Sequence, residues 1–539
     1  MPFPTPRRAA AGRPVDIRRA ILGAALAGLA LALPLAGPAG AQTLRWTSQA
    51  DALTLDPHAQ NEGPTIALTG MIYEALVTRD PTMTLQPELA TDWAPVEGGW
   101  RFALRPGVTF HGGESFEAQD VAFSIRRAMA PTSDWREQLA SVVEVETPDP
   151  LTVILRTAGP NPILPNQLTN VFIMDSGWAE AMGAAEPQDY AARQETPAVR
   201  QANGTGPFVL EERRPDELTV LTANAAWWGR GLFPGNLARI EYRPMRHAGA
   251  RVAALLAGDV DLVLDPPLQD LPRIRAAAGM QVTSVPQIRT IFLGMDQGSA
   301  ELRSSDVAGR NPFGDRRVRL AVNHAIDREA IRDHVMEGLS QPAGLLTPPG
   351  VHGNTPALDA PYAFDPERAR ALLAEAGYPD GFKVRLDCPN DRYNNDEEIC
   401  QALVPMLARA GIEVALDLQP RTRHFPKIQN RETDFYMLGW GTPTLDSAFV
   451  LDYLVEAGGA WNATGFDNLR LNQLVAGMAA ETDPARRDAM IAEAWEIVRE
   501  QAPYAPLHHQ VIAWAMAERV EAPIAPDDAL RPRFVVIRE

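Results

Sequence analysis

The chain has 539 residues, with 50 Lys and Arg against 68 Asp and Glu, a formal net charge of −18, and two cysteines. A surface this acidic is repelled by nucleic acid and by anionic lipid, which argues against both as partners and for a soluble protein. The length exceeds what one hydrophobic core fills and implies two or three domains.

The first forty residues read as a leader. Arg7, Arg8, Arg13, Arg18 and Arg19 precede an apolar run from Ala20 to Leu35, and Ala39-Gly40-Ala41 then forms a cleavage site before Gln42. This is the layout of a secretory signal peptide, so residues 1–41 are expected to be removed. An apolar run of about 15 residues is too short to cross a hydrocarbon core roughly 30 Å thick. Arg18-Arg19 is similar to a twin-arginine signal, but the flanks favour the general secretory route. The two cysteines, Cys388 and Cys400, lie far from the cleavage point. No lipid anchor is therefore expected, and the mature chain should be free in the periplasm.

After the leader, short strands alternate with helices, which gives an α/β class. Leu151–Thr157 and Ile240–Arg243 are strand candidates. Arg251–Ala257 reads as a helix stopped at Gly258, and the run Asp259–Asp265 as a strand with acids at one edge. The apolar residues between those acids do not fit a calcium loop. Asn311–Asp315 is turn chemistry ahead of a helix at Val318–Ile326. Asp365-Pro366 and Asp483-Pro484 each place a capping acid before a proline at the first helical position. Between them, Ile399 to Ala410 carries an apolar stripe, interrupted by Pro405, and Ile412–Leu418 alternates like a strand. Cys388 and Cys400, twelve positions apart in an exported chain, read as one local disulfide, the alternative being two buried thiols.

Catalytic patterns are missing. The sequence contains no G-x-S-x-G elbow, P-loop, H-E-x-x-H or G-x-G-x-x-G, so neither an enzyme nor a cofactor is expected. His508 and His509 adjoin, a spacing that points the two rings apart in a strand, and no metal site is expected. Trp440 is more informative. It ends the strand-like run Asp434–Leu438 and enters Gly439-Trp440-Gly441-Thr442-Pro443-Thr444. A ring beside glycines at a strand's C-terminal end is where open α/β sheets hold ligands. The alternative is a core Trp beside a tight turn.

Several segments together resemble the family 5 extracellular solute-binding proteins of ABC importers, the dipeptide- and oligopeptide-binding type. They are Leu53–Pro57, Ile72–Leu76, Pro87–Ala90 with Trp93, Trp100–Phe102 running through Arg105–Gly113 to Asp120-Val121, Asn203–Phe208, Asp315–Arg319, Ala325–Arg328 and Ala502–Leu507. The resemblance implies a two-lobed periplasmic-binding-protein fold with a hinge and an extra subdomain in lobe one. Lobe one would comprise residues 43–297 plus 505–539, with the insert at about 80–205, and lobe two residues 298–504. The chain would cross near Asp296–Gly298 and Ala502–Pro506.

The resemblance also implies a monomer that engulfs a peptide or small organic solute and delivers it to permease subunits in the inner membrane. Nickel-chelate binding, or a role as periplasmic chaperone or ligand sensor, are the alternatives. Peptide-binding members often place an acid after the Trp-bearing strand to hold an ammonium. Here Gly441-Thr442 occupies that place, and the nearest acid is Asp446. Arg392, followed by Tyr393 within Pro389–Asp396, is suited to gripping a carboxylate, unless it pairs with Asp391 or Asp396. The expected ligand-binding residues are therefore Trp440, Gly441, Thr442, Arg392, Tyr393 and Asp446.

Overall fold

Two strands much longer than their neighbours organise the molecule, Met280–Met295 and Tyr504–Ala517. The computed structural model describes residues 42–190 and 192–539. The expected leader, residues 1–41, lies outside the described residues. Met280–Pro286 pairs antiparallel with Val511–Ala517, and Thr290–Gly294 pairs with Tyr504–His509. The register slips between Pro286 and Thr290 and again between Ile291 and Phe292. Proline has no N–H to give to a ladder, which accounts for slips beside Pro286 and opposite Pro506.

On either side of the first slip the shared ladder recruits different partners. Arg289–Met295 pairs with Phe435–Gly441, which is followed outward by Phe382–Pro389 and Ile412–Gln419 in parallel. The other end of Tyr504–Ala517 pairs with Leu262–Val263, and the sheet continues through Gln42–Thr47, Leu237–Tyr242, Leu218–Ala223 and Phe208–Arg214. Among the described residues this makes one sheet of eleven strands, mixed in direction. Only the two long strands take part in both of its halves. Thirteen of the fourteen residues of Tyr504–Ala517 are buried, as expected of a strand covered on both faces.

A separate four-stranded sheet, Ala90–Val96, Gly99–Leu104, Thr152–Thr157 and Val142–Asp149, is covered by the helix Ala118–Ala128. It has its own core, in which Phe102, Leu104, Val121, Ile125, Val153 and Leu155 are buried together.

The local signals of the sequence are realised at atomic detail. Asp315, Asp365 and Asp483 accept hydrogen bonds from the backbone N–H groups of Arg317, Arg368 and Arg486 and so cap their helices. Gly258 ends the helix Ala248–Ala257 at φ 78°, a conformation that suits glycine. One expectation contracts: the strand in Asp259–Asp265 is limited to Leu262–Val263. Asp261 is buried against Arg45 and Arg519, at 2.8 and 2.5 Å, and Asp265 pairs with Arg251 at 2.9 Å.

Cys388, in the strand Phe382–Pro389, is disulfide-bonded to Cys400 in the helix Asp396–Ala410, and no free cysteine is present among the described residues. The bond closes a short loop that carries Arg392 and Tyr393. Thiol labelling of the denatured, unreduced protein should find nothing to label. Reduction should destabilise the protein by about 3 kcal/mol, the chain-entropy value for a loop of this size. Two labelled thiols in freshly isolated protein would refute the bond.

Candidate functional site

The break in the shared ladder opens onto a cleft of about 1190 Å³, part of it continuous with solvent. Gln287, Ile288 and Arg289 of the break line it. Gly441 and Pro443 contribute from the end of the strand Phe435–Gly441, and Asn61, Tyr73, Glu74, Glu88, Phe172, Asp527 and residues 529–533 line more of it. Ile288 is clasped from both directions: its N–H donates to Pro526 O and its carbonyl accepts from Thr442 N, both at 2.9 Å. A second strap is formed by Arg79, whose guanidinium donates to Met83 O and Asn166 Oδ1 at 2.9 Å and to Thr444 O at 3.1 Å.

The sequence-expected residues fall into three groups. Gly441 lines the cleft directly. Trp440 is half-buried at the end of its strand, its ring 5.4 Å from Trp461, 6.0 Å from Tyr453 and 6.2 Å from Phe449. Its indole Nε1 and the hydroxyl of buried Thr442 have no protein hydrogen-bond partner. Arg392 and Tyr393 lie together on the other face of the same strand. The Arg392 guanidinium is 5.4 Å from the centre of the Tyr393 ring, whose hydroxyl donates to Gly439 O at 3.1 Å. Asp396 does bind Arg392, but through the backbone: its carboxylate accepts the N–H groups of Arg392 and Tyr393 at 2.9 and 3.0 Å. The guanidinium is left free, and its buried Nε has no partner.

Asp446 is differently employed. Its carboxylate takes both Arg487 nitrogens at 2.7 Å and His352 Nδ1 at 3.0 Å, and it caps the helix Ser447–Val450 through Ala448 N. Buried and saturated in this way, it offers a solute nothing. Burial by itself would raise its pKa, but the bonds from His352 and Arg487 outweigh that and hold it at about 2. His508 is buried and both ring nitrogens lack partners, so burial holds it neutral, at about 4. His509 bridges Thr290 Oγ1 at 2.8 Å and Asp359 at 2.9 Å.

Sequence reasoning missed Arg289 and Glu74. Arg289 is a lone cation in the apolar run Ile288–Met295, a signal available in the sequence. Burial lowers its pKa to about 10, and the charge of Arg392 pushes the same way. Glu74 is fully buried yet reaches the cleft. It accepts from the indoles of Trp227 and Trp228, at 2.9 Å each, and from Thr205 Oγ1 at 2.8 Å. Burial, then the nearby charge of Glu88, raises it to about 8. Among the described residues no three His, Cys, Asp or Glu side chains gather as a metal site.

A mixed sheet divided by two shared strands, with a charged cleft at the division, defines a two-lobed solute-binding protein. The chain belongs to the bacterial extracellular solute-binding proteins, family 5, whose middle region matches residues 84–462. It is 26% identical over 468 residues to the glutathione-binding protein GsiB of Salmonella typhi, covering 84% of this chain and 86% of the relative. The fold also matches the periplasmic binding protein DppA from Helicobacter pylori in complex with the peptide STSA. The TM-score is 0.76 with 23% identity, over 93% of this chain and 98% of that one. AgaA from A. tumefaciens R10 in complex with agropinic acid gives a TM-score of 0.75 with 24% identity, over 92% and 99%.

The Asp446–Arg487 pair should act as scaffold. Arg487→Met leaves a buried carboxylate with His352 as its remaining side-chain partner and should destabilise by about 3 kcal/mol at neutral pH. Because Asp446 is held below its unfolded value, its contribution is complete above about pH 4 and fades as pH falls toward 2. Urea unfolding of variant and parent at pH 7 and pH 3 should therefore show the gap narrowing in acid. An equal gap at both would exclude the ion pair as the cause.

Proposed function

We propose that this protein is the exported solute-binding component of an ABC importer, which closes over a carboxylate-bearing, peptide-like solute and presents it to permease subunits in the inner membrane. The leader pattern supports export to the periplasm, and no helix among the described residues is long and apolar enough to cross a membrane. The observation that carries the reading is a cleft lined from both halves of the sheet, with the free guanidinium of Arg392 beside it. Arg392 is the proposed carboxylate grip, its planar fork matched to two oxygens. Gly441 keeps the strand open to the solute on the Arg392 face, with Tyr393 fixing the arginine, while Trp440 and Thr442 on the opposite face close off the end of the strand. Asp446 is assigned to the scaffold.

The hinge is proposed to lie at the proline-induced break, residues 286–290 with 509–511, rather than at Asp296–Gly298 and Ala502–Pro506. Residues before the break on Met280–Met295 would then move with lobe one and those after it with lobe two. The separate four-stranded sheet supports an inserted subdomain near residues 80–205.

Native mass spectrometry of protein isolated from the periplasm should reveal a co-purifying small acid. Refilling the emptied protein with it should lower the radius of gyration by small-angle scattering. Arg392→Gln should weaken binding by about 2 kcal/mol, roughly thirtyfold, and Trp440→Ala by less, since its ring lies on the opposite face of the strand. Ligand-free protein whose dimensions never change would refute the transport reading. Unchanged affinity in Trp440→Ala with a sharply lower melting temperature would place that ring in the core.

A further inference from the structure

Most arginines in or near the cleft have partners. Arg531 is paired with Asp527 at 2.5 Å, Arg533 with Glu88 at 2.7 Å, and Arg79 is bonded to three oxygens. Arg289 and Arg392 are the exceptions. Among the described residues no carboxylate lies within ion-pair distance of either guanidinium. The one side-chain hydrogen bond of Arg289 is a long one, 3.4 Å, to Gln287 Oε1.

The register brings these two cations to one face. Arg289 stands directly opposite Gly441, and Ile291 opposite Gly439. Opposed residues of an antiparallel pair share a face, as do residues two apart. A side chain on Gly439 would strike Ile291 and Tyr393, so Tyr393 covers that face as well, with Arg392 above its ring. The two glycines leave the backbone open between the arginines. Trp440, between them in sequence, points to the opposite face with Thr290.

The acids nearby do not answer these charges. Asp528 is engaged by the Trp514 indole at 2.8 Å, and Glu62 forms no ion pair. Glu74, at the far side of the cleft, already accepts from three neutral donors. Two cations without ion-pair partners thus share one face, one of them lining the cleft, and Glu62 is the nearby acid still available to an ammonium. A partly desolvated charge left unpaired is costly, so a solute with one anionic group would satisfy only half of this site.

Building on the transport reading, we infer that the solute carries two anionic groups, one held by Arg392 and the other by Arg289, which makes Arg289 the residue that selects doubly anionic, peptide-like solutes over singly charged ones. The second group can be a side-chain carboxylate or a second terminal one.

Two probe pairs of near-equal size test this by calorimetry at fixed ionic strength: Ala-Glu with Ala-Gln, and glutathione with its glycyl monoethyl ester. The parent protein should bind the doubly charged member of at least one pair ten times or more tighter than the singly charged member. Arg289→Gln should weaken the doubly charged member at least ten times more than its mate, which removes the preference. Arg392→Gln should weaken both members alike. Arg289→Gln also removes a like-charge repulsion, so its ligand-free melting temperature should not fall, and a fall would signal a folding role instead. Equal affinity of the parent for both members, or equal losses for both in Arg289→Gln, would overturn the inference and leave the transport reading intact. If no doubly charged probe binds at millimolar concentration, the inference is overturned. Mass spectrometry of the co-purified solute then decides the transport reading separately.

Discussion

The pairing of Met280–Met295 with Tyr504–Ala517 is the constraint from which the rest of the structure follows. Each strand is long enough to serve two sheets, and each contains a proline that prevents one uninterrupted ladder. At the break the backbone of Ile288 finds its partners elsewhere, one on the Pro526 side and one on the Thr442 side. Satisfying these groups through single bonds rather than a ladder meets the demand that buried polar groups be paired. It leaves little else to resist a change in angle between the halves. The cleft opens at the same place, so the residues that line it from the break, Gln287 to Arg289, lie where the proposed hinge and the proposed recognition coincide.

Charge compensation sorts the polar residues of the cleft by role. Asp446 has two partners besides its helix cap, Arg487 and His352, and its depressed pKa follows from both. Arg531 and Arg533 are neutralised in place by Asp527 and Glu88. Such groups hold the walls together and are poor candidates for solute contact, because a solute would have to displace a partner already present. Arg289 and Arg392 have nothing to displace. Within a family fold shared by binders of different cargo, uncompensated charge is a more discriminating guide than position alone.

Much of the fold was legible in the sequence because its signals are local. Capping acids, the proline at the first helical turn and Gly258 each act within a few residues, and the structure realises each of them. The long strands were less legible: a proline can end a strand, and only the tertiary pairing shows that Pro286 and Pro506 interrupt a shared ladder instead of ending it. Among the site residues, Trp440, Gly441 and Arg392 carried readable signals, a ring among glycines and an arginine in a polar loop. Asp446 was misleading. Its partners, His352 and Arg487, lie 94 and 41 positions away, and no spacing rule anticipates them. Arg289 was overlooked for the opposite reason, since one cation in an apolar strand is easily taken for an edge residue.

The two free arginines are held on supports of different kinds, both tied to the strand Phe435–Gly441. Arg289 stands at the end of the break, where its pairing with Gly441 and that of Thr290 on both sides hold its backbone. Arg392 stands on a loop, which would ordinarily be mobile, but this loop is fastened three times. The Cys388–Cys400 bond closes it, Asp396 gathers two of its N–H groups, and the Tyr393 hydroxyl ties it to Gly439. Ordering a long side chain at an interface costs about 0.5 to 1.5 kcal/mol, and less when its support is already fixed. In the proposed mechanism the conformational freedom needed for capture therefore resides in the hinge, while the groups that recognise the solute are preorganised. Closure then moves one finished surface onto another, and the fit between them, not the folding of a loop, decides which solute is retained.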